Sequence, residues 1–200
     1  MSDRPPDRSD TGQTRHQTMA SSDGHPASAS AWSDVDAALR RPVMNAAAES
    51  FVQDLLSKTD HPILKHSLSN VASDPAAFAG RFYANLFAAM PGLRVLFPAD
   101  LSEQQMKLAQ TLAMVVSGLD ESDAMVPLLR RLGAAHRGYG TKPAHYQVVG
   151  DVLIKTLSDT CGPDWNDDLE RSWQRLYQWV AANMIAGAQA AAHAGAKPKF

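Results

Sequence analysis

A chain of 200 residues with 44% hydrophobic and 20% charged side chains suits one globular domain with a sizeable core. Nineteen basic against twenty-one acidic residues give a formal charge of -2 and no basic stripe, which argues against nucleic acid as a partner. No apolar run reaches the roughly eighteen residues of a membrane span, and no basic-then-apolar leader opens the chain, so neither membrane nor secretion is expected and the cytoplasm is the default compartment.

Residues 1–35 are rich in Ser, Asp, Pro and Gly and nearly free of aliphatic side chains. They bury too little apolar surface to offset the entropy of ordering, and read as a disordered tail. Over 36–59, Leu39, Val43, Ala47, Phe51, Val52 and Leu55 recur at helical spacing and predict an amphipathic helix ahead of the main domain, which spans 60–192 and leaves 193–200 as a flexible end. Asp74-Pro75 places a capping acid before a proline at the first helical position, opening a helix through Phe78, Phe82, Tyr83, Leu86 and Phe87 that Pro91-Gly92 ends. Asp100 followed by Glu103 resembles a capping box, and Leu108, Leu112, Val115, Val116 and Leu119 then share the inward face of the next helix. After Pro127 a short helix carries Leu128, Leu129 and Leu132 to His136 in its last turn and stops at Gly138-Tyr139-Gly140. Pro143 starts a helix through Tyr146, Val149, Val152, Leu153 and Leu157, and a last one runs through Leu169, Trp173, Leu176, Tyr177, Val180 and Met184. The pattern amounts to about six helices and no strand. Cys161, without a second cysteine, can form neither an internal disulfide nor a zinc site and is expected as a reduced, inert thiol.

Taken singly, the residues that could carry chemistry have ordinary readings. His136 can be a helix-end histidine favoured by the dipole, Tyr83 and Phe97 core aromatics, and Gln104 and Lys107 solvated side chains. Their joint order is more specific: FYANLF with Tyr83, LF with Phe97 fourteen residues on, Gln104 seven beyond it, Leu108 one turn later, then His136.

In that order, and through FAGRFYANLF, PGLRVLFPADL, QMKLAQTL, LGAAH, KPAHYQVVG and WQRLYQWVAANM, the chain resembles the bacterial globins over about residues 62 to 190. It is most similar to the globin domain of flavohaemoglobins and to single-domain haemoglobins. The resemblance implies an all-α globin fold, with an N-terminal extension, around haem b held without covalent links; no Cys-x-x-Cys-His attachment motif occurs. It makes His136 the iron ligand, Phe97 the aromatic stacked on the porphyrin and Leu108 the aliphatic side chain limiting space above the iron. Leu132 falls among the cofactor-lining residues, and Lys107 reaches a haem propionate or is simply exposed. Tyr83 and Gln104 match the paired hydrogen-bond donors over the iron. Dioxygen bound to haem gains partial negative charge, so such donors slow its loss, whereas carbon monoxide gains little. Tyr146 matches a tyrosine that joins the ligand histidine and a glutamate of the last helix, but the glutamate position is Ala188, which implies a weaker push towards peroxidase chemistry. His61, His66, His145 and His193 carry no supporting motif. The implied function is reversible dioxygen binding, with nitric oxide oxidised to nitrate as an enzymatic possibility. No glycine-rich flavin or dinucleotide fingerprint occurs, so electrons are expected from a separate reductase. The alternative is a haem-based gas or redox sensor signalling through the extension; monomer and homodimer both stay open.

Overall fold

The computed structural model describes residues 57–195. Among these residues the chain is helical throughout, with no strand: α1 (His61–Ser73), α2 (Pro75–Ala89), α3 (Ser102–Ser117), α4 (Ser122–Gly138), α5 (Pro143–Cys161) and α6 (Asp167–Gly195). Short 3-10 segments at Lys58–Asp60, Pro91–Leu96, Leu119–Glu121 and Gly162–Asp164 join them. The tail over 1–35 and nearly all of the amphipathic helix expected over 36–59 lie outside the described residues. At 57–59 the Ser57 hydroxyl accepts from the Thr59 amide and caps the Lys58–Asp60 turn.

The local chemistry accounts for the boundaries. Asp74 accepts from the Ala77 amide at 2.9 Å ahead of Pro75, as a capping acid does. Asn166 caps α6 through the amides of Asp168 and Leu169. Gly140, at φ 85°, makes the left-handed turn out of α4 that an L side chain would resist. Three boundaries differ from the sequence expectation. α1 is an additional helix, opened by Pro62 and burying Leu64 and Val71. α4 begins at Ser122, not after Pro127; the proline is the sixth residue of the helix, past the four amides that have no intrahelical partner, and forfeits the one bond to the Asp123 carbonyl. At α3 the Asp100 carboxylate accepts from the Ser102 amide and hydroxyl, while Glu103 pairs with Lys107 instead of closing a capping box.

α2 lies between α3 and α5, α1 touches α3, α5 and α6, and α4 packs along α6. The shared core contains Leu64, Phe78, Leu86, Val116, Leu129, Leu157, Trp173 and Trp179. Cys161 is buried, and burial pushes its thiol up, which leaves it unreactive at neutral pH. Two polar ties hold α1 in place. The indole N–H of Trp173 donates to the Ser67 hydroxyl at 3.0 Å. Just ahead of α1, buried Asp60 accepts from the Ser172 hydroxyl at 2.8 Å and from both Nε and Nη2 of Arg175, a two-pronged charge-assisted pair. On the other side of the same turn His61 and Lys65 both reach Asp120 in the α3–α4 corner.

Burial pushes the Asp60 carboxyl up, but hydrogen bonds from Arg175 and Ser172 and the Arg175 charge outweigh it and hold the group below the ordinary aspartate value of 3.8. A lowered folded value means that the pair stabilises the fold above the unfolded carboxyl's pKa and is lost as pH falls through the folded one. Replacing Asp60 by alanine is expected to cost about 2–3 kcal/mol in urea unfolding at neutral pH, less than a fully buried pair because Arg175 keeps some water contact. The difference from the parent should close on acidification; a gap that persists at about pH 2 would show that the carboxylate is not its source.

Candidate functional site

Two groups of the residues singled out by sequence come together in the fold. The first lies between α2 and α3. Tyr83 is on the inward face of α2, Phe97 ends the Pro91–Leu96 segment, and their rings meet edge to face with centroids 5.6 Å apart. Phe87, one turn after Tyr83, completes the cluster at 5.9 Å from Tyr83 and 5.4 Å from Phe97. The Tyr83 hydroxyl donates to the backbone carbonyl of Gln104 at 3.3 Å. That is long beside the roughly 2.7–2.8 Å of a strong O–H···O bond, so the hydroxyl is weakly held and can be redirected. Burial pushes the Tyr83 phenol up to about 12, which keeps it a proton donor across the physiological range. The side chains of Gln104 and Leu108 are half-buried one turn apart on α3. Lys107 points outward and pairs with Glu103 at 2.6 Å, both side chains more than half exposed.

The loop carrying Phe97 is held by Arg94. Its guanidinium donates to the carbonyls of Phe97 at 3.0 Å, Pro98 at 2.8 Å and Ala99 at 3.0 Å, and stacks 5.3 Å from the centre of the Phe87 ring. One planar fork thus satisfies three carbonyls that no helix pairs. Sequence reasoning did not single out Arg94, because its partners are main-chain atoms three to five residues on and no side-chain pattern announces them.

The second group has two parts, one in the last turn of α4 and one between α5 and α6, with α6 the common neighbour of α4 and α5. His136 sits half-buried in the last turn of α4, its Nδ1 donating to the Leu132 carbonyl one turn back at 2.9 Å. With Nδ1 so engaged, the imidazole presents Nε2 and its lone pair, the arrangement of a metal-ligating histidine. Leu132, half-buried against the core, therefore contributes its carbonyl as well as its side chain. The Tyr139 ring stands 6.3 Å from that of His136 and is largely exposed. Tyr146, in the first turn of α5, is buried with its hydroxyl bonded to nothing in the structure, and burial pushes its phenol up to about 12. Tyr177 of α6 donates to the Tyr146 backbone carbonyl at 2.6 Å. The signal for Tyr177 was an inward-facing tyrosine on a helix, which must find a partner for its hydroxyl.

These residues fit a haem. The aromatic and aliphatic side chains of Tyr83, Phe97, Leu108 and Leu132 are of the kind that suits a porphyrin face, and His136 supplies one ring nitrogen with its second nitrogen fixed. Among the described residues no three His, Cys, Asp or Glu side chains cluster to hold a bare metal ion, so one imidazole would need the four nitrogens of a macrocycle to complete a coordination shell. Among them, too, no helix is long and apolar enough to cross a membrane.

Comparison with known proteins gives the family and the fold. The profile of the Globin family matches residues 80–184, more than half of the chain. The flavohemoprotein of Bacillus subtilis is 26% identical over 126 residues, which are 62% of this chain and 32% of that protein. The flavohemoprotein of Bordetella parapertussis is 25% identical over 145 residues, 71% of this chain and 36% of that protein. The chain thus spans about a third of the length of the curated relatives it matches. Among solved structures, an engineered carbene transferase derived from a provisionally assigned nitric oxide dioxygenase of Rhodothermus marinus superposes with a TM-score of 0.64 at 23% identity, covering 71% of this chain and 99% of that one. A bacterial globin from Campylobacter jejuni superposes with a TM-score of 0.60 at 20% identity, covering 67% and 97%.

Proposed function

This chain belongs to the globin family, and we propose that its domain over 60–192 holds haem b through His136, binds dioxygen reversibly, and oxidises nitric oxide to nitrate when a separate reductase supplies electrons. The observation that carries the reading is the hydrogen bond from His136 Nδ1 to the Leu132 carbonyl, which fixes the tautomer and leaves Nε2 as the atom offered to iron. A haem bound there supplies a site for a diatomic gas and one-electron redox chemistry.

The chain's own residues do the rest. Tyr83, protonated across the physiological range, would turn its weakly held O–H from the Gln104 carbonyl towards a bound gas, with the Gln104 amide as the second donor. Both favour a ligand that gains negative charge, so dioxygen is retained more strongly than carbon monoxide. Phe97, whose loop Arg94 fixes, would hold the macrocycle by its ring, and Leu108 would limit the space available to a ligand. The Lys107 ammonium can exchange Glu103 for a propionate, both being surface groups. Nδ1 of His136 is taken by the Leu132 carbonyl and position 188 is alanine, so among the described residues no carboxylate is bonded to the imidazole. Binding and nitric oxide oxidation are favoured over peroxidase chemistry for that reason. The flavohemoprotein relatives, about twice as long as this chain, support a reductase as the electron source.

The visible spectrum of the haem-loaded, reduced protein should be that of five-coordinate, histidine-ligated iron, and His136→Ala should lose it; a parent that takes up no haem, or a variant identical to it, removes the assignment. Tyr83→Phe is expected to release oxygen about tenfold faster, the loss of one hydrogen bond to a charged acceptor, and an unchanged stopped-flow release rate would deny Tyr83 its role. Rapid mixing of the oxygenated protein with nitric oxide should yield nitrate and ferric protein together; absence of nitrate leaves gas binding without the dioxygenase activity.

A further inference from the structure

The position of His136 depends on where α4 lies, and two glycines determine that. Gly133, three residues before His136, meets α6 at Met184: a methyl group built on Gly133 would overlap the Met184 carbonyl oxygen and stand 2.6 Å from its Cα. Gly187, three residues beyond Met184, meets α4 at Arg130 in the same way, a methyl there overlapping the carbonyl oxygen and standing 2.5 Å from the Cα. Carbon atoms in contact rest at about 3.5–4.0 Å, so neither position can hold even alanine unless the helices part. The obstacle in both cases is main chain, which cannot swing aside as a side-chain tip can. The antiparallel helices therefore touch backbone to backbone at two points one turn apart, close enough for Cα–H groups to face carbonyl oxygens.

Glycine is unfavourable inside a helix, and neither position has the backbone angles that only glycine adopts. Close approach is what both positions require. Gly138, in the last turn of the same helix, has open space around it and meets no such constraint. Leu132, whose carbonyl holds His136 Nδ1, is the neighbour of Gly133, so the constraint reaches the imidazole within one helical turn.

We infer that Gly133 and Gly187 are positioning residues for the iron: their backbone crossing fixes the height and rotation of α4, and through the Leu132 carbonyl it sets how far His136 Nε2 reaches towards the haem. The inference rests on the reading of His136 as the iron ligand. A methyl at either glycine lifts α4 from α6 and carries the imidazole with it, while the porphyrin stays held by Phe97 and its neighbours, so the strain falls on the iron–nitrogen bond.

Resonance Raman spectra of the ferrous, haem-loaded parent, Gly133→Ala, Gly187→Ala and Gly138→Ala report that bond directly through the iron–histidine stretching band, and transfer of haem to an excess of a haem-scavenging apoprotein reports its retention. Alanine at 133 or 187 is expected to shift the band and speed haem loss at least ~10-fold, with Gly138→Ala matching the parent. Bands and loss rates unchanged in both variants overturn the inference. Should either variant fail to fold, amide hydrogen exchange of the haem-loaded parent decides: exchange over 130–136 as slow as over 181–185 of α6 supports the crossing, and exchange as fast as in the 98–101 loop overturns it. A parent that binds haem without the iron–histidine band overturns the ligand reading instead; the exchange pattern distinguishes that from failure of the crossing, since it is read without reference to iron.

Discussion

Two helices seldom come closer than the 8–10 Å that their side chains allow, and the close passage of α4 over α6 shapes much of what surrounds it. The face that α6 turns inward there is small, with Ala181 and Ala182 buried beside Met184 and Gly187. Large side chains take over on either side: Leu129 on α4, Trp173 and Trp179 on α6. The result is a rigid base to which the proposed ligand helix is fastened at its middle, ahead of its last turn with His136 and the left-handed exit at Gly140. Because protein interiors are close-packed, a shift at the crossing would be passed on to that turn rather than absorbed.

The surroundings of Tyr83 and Phe97 are built differently. There the polypeptide leaves regular helix for the Pro91–Leu96 segment and an open loop, with Val95 almost wholly exposed. Its order comes from one guanidinium and three aromatic rings. Arg94 satisfies the carbonyls of 97–99 while Tyr83, Phe87 and Phe97 lock edge to face. Such ring pairs contribute about 0.5–1.5 kcal/mol beyond their burial. In the proposed function, a fastened helix carrying His136 and a loop pinned by Arg94 would let Tyr83 and Gln104 adjust to a ligand while His136 stays put.

The helical fold was legible because its boundaries are written in short-range chemistry: Asp74-Pro75, Pro143 and Gly140 act within a turn of where they stand. α1 was less visible, since HPILKHSLSNVAS offers only a few apolar positions and its helix is held largely by Trp173 and Arg175, more than a hundred residues away. The start of α4 was misplaced because proline is commonest at the first helical position, and Pro127 sits about a turn and a half in. At the candidate site the residues that stood out, Tyr83, Phe97, Gln104 and His136, do so by joint order along the chain. Arg94, Tyr177 and the two crossing glycines act on backbone carbonyls, and a sequence displays no carbonyl; only the folded chain shows which one is near.

The Asp60 junction bears on how the chain can be shortened. A polypeptide begun at Ser57 keeps the hydroxyl that caps the first turn, the carboxylate that receives Arg175 and the histidine that reaches Asp120. Begun five residues later, at Pro62, it would retain all six helices almost whole, yet leave the Arg175 guanidinium without its carboxylate and Asp120 with Lys65 alone. Among the described residues, a shortened chain therefore keeps these ties only if it begins at or before Ser57, a limit drawn by charge rather than by where the first helix begins.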